Sequence, residues 1–245
     1  MYKHIEETHN KLAASRILPV VLDIVKPKSI VDVGCGIGSF LSFLSDLGFK
    51  DLMGLEGDWL DRSRLYVDSG LVKTADLQKP FSHDRKYDLA ICLEVAEHLE
   101  ASSADTIVNT LTGLSDVILF SAAIPGQGGQ NHINEQWSEY WVKKFSTKGY
   151  SFYDSARMLF WNNPDVDYWY KQNMFLVIKD GANNFGLQKE STPNDLVHPE
   201  LFTLINNSKN EIYQQHIHLA WGKDSVARYA RLLLKSILKK VRLLK

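Results

Sequence analysis

The 245 residues are 44% hydrophobic and 11% aromatic, with a formal net charge of −1. That apolar content can bury the core of one large domain with additions, and the charge balance argues against nucleic acid as a bulk electrostatic partner. Two cysteines, Cys35 and Cys92, are too few for a disulfide framework. A cytoplasmic setting is expected: the first residues carry Glu6, Glu7 and His9 where a signal peptide needs an apolar core, and no apolar run is long enough to span a membrane.

In chain order, residues 5–26 carry the apolar stripe of a helix (Leu12, Ile17, Leu18, Val21, Leu22, Val25), which Pro19 should kink or split. Ile30, Val31 and Val33 then read as a short buried strand. It runs into Asp32-x-Gly34-x-Gly36-x-Gly38, followed by a helical pattern (Leu41, Phe43, Leu44, Leu47) that ends at Gly48. Strand, glycine-rich turn and helix make a nucleotide-type site. The glycines admit positive φ and close approach of a ligand, Cys35 lies within the loop, and the helix start offers unpaired N–H groups. The spacing is neither that of a dinucleotide fingerprint nor that of a P-loop.

Residues 52–56 read as the second strand, ending in Glu56. An acid at the C-terminal end of a parallel strand can accept hydrogen bonds from both hydroxyls of a ribose. Glu56 lies 18 residues past Gly38, near the length of one helical crossover. Trp59 lines the nucleoside or joins the core. Residues 71–76 form a third strand ending in Asp76, and residues 87–93 are continuously apolar, as a doubly covered central strand should be.

That strand leads straight into Glu94-Val95-Ala96-Glu97-His98. If a helix begins there, Glu94, Glu97 and His98 share one face and form either an acid–base cluster or part of a metal site. A helix over 104–114 and a fifth strand over 117–121 follow. The next loop, residues 122–137, has one proline and three glycines, yet carries Gln127, Asn131, His132, Asn134 and Trp137 in dense succession. It reads as a substrate loop at a neighbouring strand end. Residues 137–145 form an amphipathic helix, and 150–153 and 174–178 the last two strands, the final one antiparallel. The aromatic stretch 161–170 stacks on a sugar or base, or covers the sheet edge. Beyond 181 the apolar signal thins until a helix near 199–205. Residues 223–245 set eight Lys and Arg against one Asp among leucines. That pattern suits a membrane-surface or partner-binding helix, and equally a terminal helix with a solvated face.

Asp-x-Gly-x-Gly-x-Gly resembles the first motif of class I S-adenosylmethionine (SAM) methyltransferases, over roughly residues 28–180. The resemblance implies an α/β fold with a seven-stranded mixed sheet and helices on both faces. It divides the chain into an N-terminal helical segment (1–27), a SAM-binding domain (28–180) and a small helical C-terminal extension (181–245). Asp32, Gly34, Cys35, Gly36, Gly38, Glu56 and Glu94 would then surround the cofactor, with Asp76 on the adenine amino group and Leu77 against the ring. Glu-x-x-Glu-His with a later His resembles the metal-dependent small-RNA 2′-O-methyltransferases, which implies Glu94, Glu97, His98 and His132 as ligands of Mn, Mg or Fe. The Pro125-Gly-Gln-Gly-Gly loop looks like that of bacterial methyltransferases associated with surface-polysaccharide synthesis. Together these imply O-methylation of a saccharide or saccharide-linked acceptor, with Glu97, His98 and His132 catalytic and Gln127, Asn131, Asn134 and Trp137 on the substrate. Quinone, lipid or RNA 3′-end acceptors, and a catalytically silent SAM-binding subunit, stand as alternatives. If the basic tail binds lipid, the protein is peripheral at the inner face of the membrane.

Overall fold

The computed structural model describes residues 11–189 and 194–240. The start of the expected first helix and the end of the basic tail, with Val241, Leu243 and Leu244, lie outside the described residues. Two compact units divide the chain, residues 1–198 and 199–245.

The first unit is built on one seven-stranded sheet in the order β3-β2-β1-β4-β5-β7-β6. Its strands are β1 (Ser29–Val33), β2 (Asp51–Glu56), β3 (Val72–Thr74), β4 (Leu89–Leu93), β5 (Val117–Ser121), β6 (Tyr150–Tyr153) and β7 (Phe175–Lys179). The first five are parallel, and β7 runs antiparallel between β5 and β6. Side chains alternate strictly between the two faces. Ile30, Leu89, Ile91, Leu119, Leu176 and Ile178 pack on the side of α1 (Leu12–Val25) and α2 (Ser39–Asp46). Val31, Ala90, Cys92, Ile118, Phe120 and Val177 pack on the side of α3 (Ala104–Leu114) and α4 (Ser138–Ser146). Because both faces are covered, the central strands read as unbroken apolar runs rather than as alternating ones.

Two local expectations change. Pro19 neither splits nor ends α1, which is continuous over Leu12–Val25. Pro19 is exposed while Ile17, Leu18 and Val21 are buried, so the carbonyl it leaves without a donor can be hydrated. No α-helix starts at Glu94. Glu94 itself is left-handed (φ +54°), and two 3₁₀ turns, Ala96–His98 and Ala101–Ser103, precede α3. Past β6 the chain forms α5 (Ser155–Phe160) and α6 (Tyr168–Asn173), short helices that return it to β7. The second unit holds α7 (Pro199–Ala220) and α8 (Val226–Lys240). Among the described residues no helix is long and apolar enough to cross a membrane.

Candidate active site

In a parallel sheet the strand C-termini share one edge, and here the chemistry-bearing residues gather at that edge. Asp32 lies in β1, and the glycine loop leaves its end. Gly34 (φ +78°) cannot be another residue without cost, for a Cβ there would stand 2.4 Å from a methyl of Val95. The loop and the segment after β4 therefore interlock. Glu56, closing β2, is buried and accepts hydrogen bonds from Gly36 N (2.7 Å) and Gly57 N (2.8 Å). An ionised carboxylate has about four lone-pair sites, so two amides shape the loop and leave acceptor capacity for ribose hydroxyls. Trp59 is not core: it is 42% exposed, with its ring within 2.3 Å of where a Cβ on Gly57 would stand. Asp76 is exposed, accepts from Gln78 N (3.1 Å) and pairs with Lys79 at 2.9 Å, while its neighbour Leu77 is buried. Cys35 and Cys92 are both buried free thiols whose pKa values burial raises.

The segment after β4 is where structure and sequence reading differ most. Glu94 N donates to Ser121 O (3.2 Å) and Ser121 Oγ (3.0 Å), which holds the strained left-handed residue in place. The Glu94 carboxylate then turns to amides, accepting from Gln127 Nε2 at 2.7 Å and Asn173 Nδ2 at 3.1 Å. Asn173 Nδ2 also reaches Gln127 Oε1 (2.8 Å), and Gln172 Nε2 donates to the same oxygen (3.2 Å). Gln172 and Asn173 escaped sequence reading, since α6 carries no local mark of an approach to a glutamate 79 residues earlier.

Glu97 has a different environment. It is completely buried, and neither carboxylate oxygen makes a full hydrogen bond; only looser contacts from the main chain of Glu97 and Ala123 and from the Glu94 carboxyl reach it. Its main-chain oxygen accepts from Ile133 N (2.9 Å) and Asn134 N (3.0 Å), so the 122–137 loop is pinned across the 3₁₀ turn. That pinning brings His132 against His98, with ring centroids 4.8 Å apart. One ligand atom from each of Glu97, His98 and His132 falls within 4.8 Å of the others. Glu94, expected in the same set, is not one of these three; its carboxylate accepts from Gln127 and Asn173 and its charge acts on Glu97 beside it.

Glu135, also missed from sequence, orients the cluster. It takes His132 Nδ1 at 3.0 Å and also accepts from Gly126 N and Gly128 N, each at 2.7 Å. With Glu135 as the acceptor, the His132 proton sits on Nδ1 and Nε2 keeps its lone pair. Gly129 (φ +152°) lets the loop pass close by, since a Cβ there would lie 2.3 Å from His132 Nε2. Of the expected substrate residues, Asn134 is buried with Nδ2 unpartnered, and Trp137 is 39% exposed. Asn131 has φ +60° and places its carbonyl 3.4 Å from His98 Nδ1.

The edge is rich in buried acid. Burial, then the charge of Glu56, pushes Asp32 up to about 8. Burial also raises Glu56, against the two amide hydrogen bonds, and raises Glu94 against its amide partners. Glu97 goes well above the carboxylate range through burial and the neighbouring Glu94 charge. Tyr170, raised by burial and then by Glu94, closes the same rim and meets Phe40 edge-on. A water-poor mouth lined by acids calls for cationic ligands.

A seven-stranded sheet of this order, with a glycine loop after β1 and an acid ending β2, defines a class I methyltransferase. Residues 4–159 match a family model described as a methyltransferase domain, and the chain belongs to that family. It is a SAM-dependent methyltransferase. Among solved structures it resembles the sugar N-methyltransferase KedS8 from Streptoalloteichus sp. ATCC 53650 (15% identity, 69% of this chain and 87% of that one, TM-score 0.51). It also resembles Streptomyces venezuelae DesVI (13% identity, 71% and 93%, TM-score 0.50) and the methyltransferase domain of bacterial CtHen1 (23% identity, 59% and 88%, TM-score 0.46). At these identities the likeness to KedS8 and DesVI shows the fold alone. No curated protein matches the sequence.

Proposed function

We propose that the enzyme methylates a hydroxyl oxygen of a saccharide or saccharide-linked acceptor in surface-glycan synthesis, assisted by a divalent cation at Glu97, His98 and His132. The observation that carries the cation is the Glu97 carboxylate, fully buried without a full hydrogen bond beside two imidazoles. A buried unpaired carboxylate is costly, and a cation removes that cost. One carboxylate with two imidazoles suits Mn or Fe better than Mg. When bound, such a cation supplies Lewis acidity that lowers the pKa of a coordinated hydroxyl. SAM supplies a methyl group already activated on a sulfonium.

The chain's own residues do the rest. The glycine loop and Glu56 orient the cofactor, Glu135 holds His132 in one tautomer, and the pinned 122–137 loop positions His132 and the exposed Trp137 at the mouth. A sugar methyltransferase of the same fold supports the saccharide acceptor class. A second reading is favoured by the 3.0 Å Glu135–His132 contact: His132 Nε2 acts alone as general base, with no cation.

The test incubates the enzyme with SAM and panels of nucleotide sugars, oligosaccharides, phenolic quinone precursors and small RNA, reading demethylated cofactor and product mass. Turnover on a saccharide, lost in chelator and restored by Mn or Fe, is the expected result, with Glu97→Gln lowering it at least a hundredfold. Full turnover in chelator leaves the general-base reading. Turnover confined to phenols or RNA overturns the acceptor class. SAM binding without turnover on any panel points to a silent subunit.

A further inference from the structure

Helix α8 has a sidedness that the methyltransferase reaction does not use. Val226, Ala230, Leu233 and Ile237 recur at steps of four and three residues, which places them on one face of the helix. Arg228, Arg231, Lys235 and Lys239 recur in the same way on the opposite face. Both faces are open: Val226 is 85% exposed, Leu233 64% and Ile237 49%, and Arg231, Lys235 and Lys239 are exposed as well. Within Val226–Lys240 there are five basic residues and no acidic one. Arg228, Arg231 and Lys235 line a groove together with Leu232. Trp221, 75% exposed, stands at the turn leading from α7 into α8. Tyr229 fixes that turn by donating to His218 O (3.1 Å) and Leu219 O (3.0 Å).

We propose that α8 is a docking surface for a bilayer carrying anionic lipid, lying in the interface plane with its apolar face among the acyl chains. Charge decides the occupant. Arg228 pairs with Asp224 at 3.0 Å, so a second copy packed on this face would still gather eight uncompensated like charges around a short helix pair, which opposes association. Nucleic acid would meet the cations but leave the leucine face wet. An anionic bilayer answers both faces at once: the apolar side enters, and the long Arg and Lys side chains extend to the headgroups. A Trp at the end of the helix matches the amphipathic rim of such an interface. The surface stands independently of the acceptor and of the metal.

Co-sedimentation of the full chain with vesicles of phosphatidylcholine, with and without phosphatidylglycerol, tests this. Binding to the anionic vesicles only, weakened as salt rises, is expected. Arg231→Gln/Lys235→Gln/Lys239→Gln should weaken it roughly a hundredfold, and Leu233→Asp/Ile237→Asp should abolish it. Both variants should bind SAM like the wild type by calorimetry, showing that the first unit is folded. Binding to neutral vesicles as strong as to anionic ones, binding unaffected by either variant, or no vesicle binding by the wild type overturns the proposal. So does a dimer in sedimentation velocity that Leu233→Asp/Ile237→Asp disrupts while vesicle binding is unchanged.

Discussion

Glu56 shows how much one side chain carries at this edge. Its carboxylate sits at the end of β2, holds Gly36 N and Gly57 N, and has capacity left for a ligand. Glu56→Gln keeps the volume, but it exchanges one acceptor oxygen for an NH₂ group that must face an amide donor or a ribose hydroxyl. Losing hydrogen bonds to a charged group costs about 1.5–3 kcal/mol. SAM affinity should therefore fall roughly ten- to a hundredfold while the fold persists. Calorimetric titration checks this; unchanged affinity would remove Glu56 from the cofactor site. The acid was legible in the sequence because a parallel strand fixes where its C-terminal residue points. Its grip on the glycine loop was not, because that depends on two main-chain N–H directions which only the folded turn defines.

At the scale of elements, the strands were readable and the connections were not. β5 and β6 fall where their apolar residues place them, since burial on both faces leaves little choice of register. The stretch from Glu94 to His98 was read as helix because its spacing fits one. Yet β4 runs into it with no capping residue, and the left-handed Glu94 makes the turn instead. Glu97 and His98 still meet His132 in one cluster by another route, through the loop pinned on Glu97 O. Helix α6 shows what a pattern cannot reveal. Asn173 supports Glu94 and Gln127 together, and buried Arg157 donates to Gln172 O at 3.2 Å. Asn173→Leu should leave the half-buried Glu94 carboxylate with fewer donors, at about 1–3 kcal/mol. For a chain of this size that lowers Tm by about 2–4 °C per kcal/mol. Thermal melts decide it, and a Leu variant as stable as the wild type would show that the amide network is not holding Glu94.

Across the whole molecule, the buried acids at the strand ends make the ligand-free fold sensitive to pH. Asp32 titrates near 3.8 when exposed and near 8 in the fold, through burial and then Glu56, and Glu56 is raised in the same direction. Between those values the folded state keeps a proton that the unfolded chain has released. Stability therefore falls as pH rises from about 4 to about 8 and levels off beyond. Asp32→Asn removes the titrating group, so its melting curve should lie progressively above that of the wild type across this window, by several degrees near pH 8. SAM brings a sulfonium and an ammonium to the same mouth and favours the ionised acids. Its affinity should consequently rise with pH over the same range, and binding should release protons. Calorimetry of SAM binding in two buffers of different ionisation enthalpy measures that release directly. A SAM affinity that falls from pH 5.5 to 8, or melts of wild type and Asp32→Asn that stay parallel, would mean that Asp32 is already ionised in the ligand-free fold.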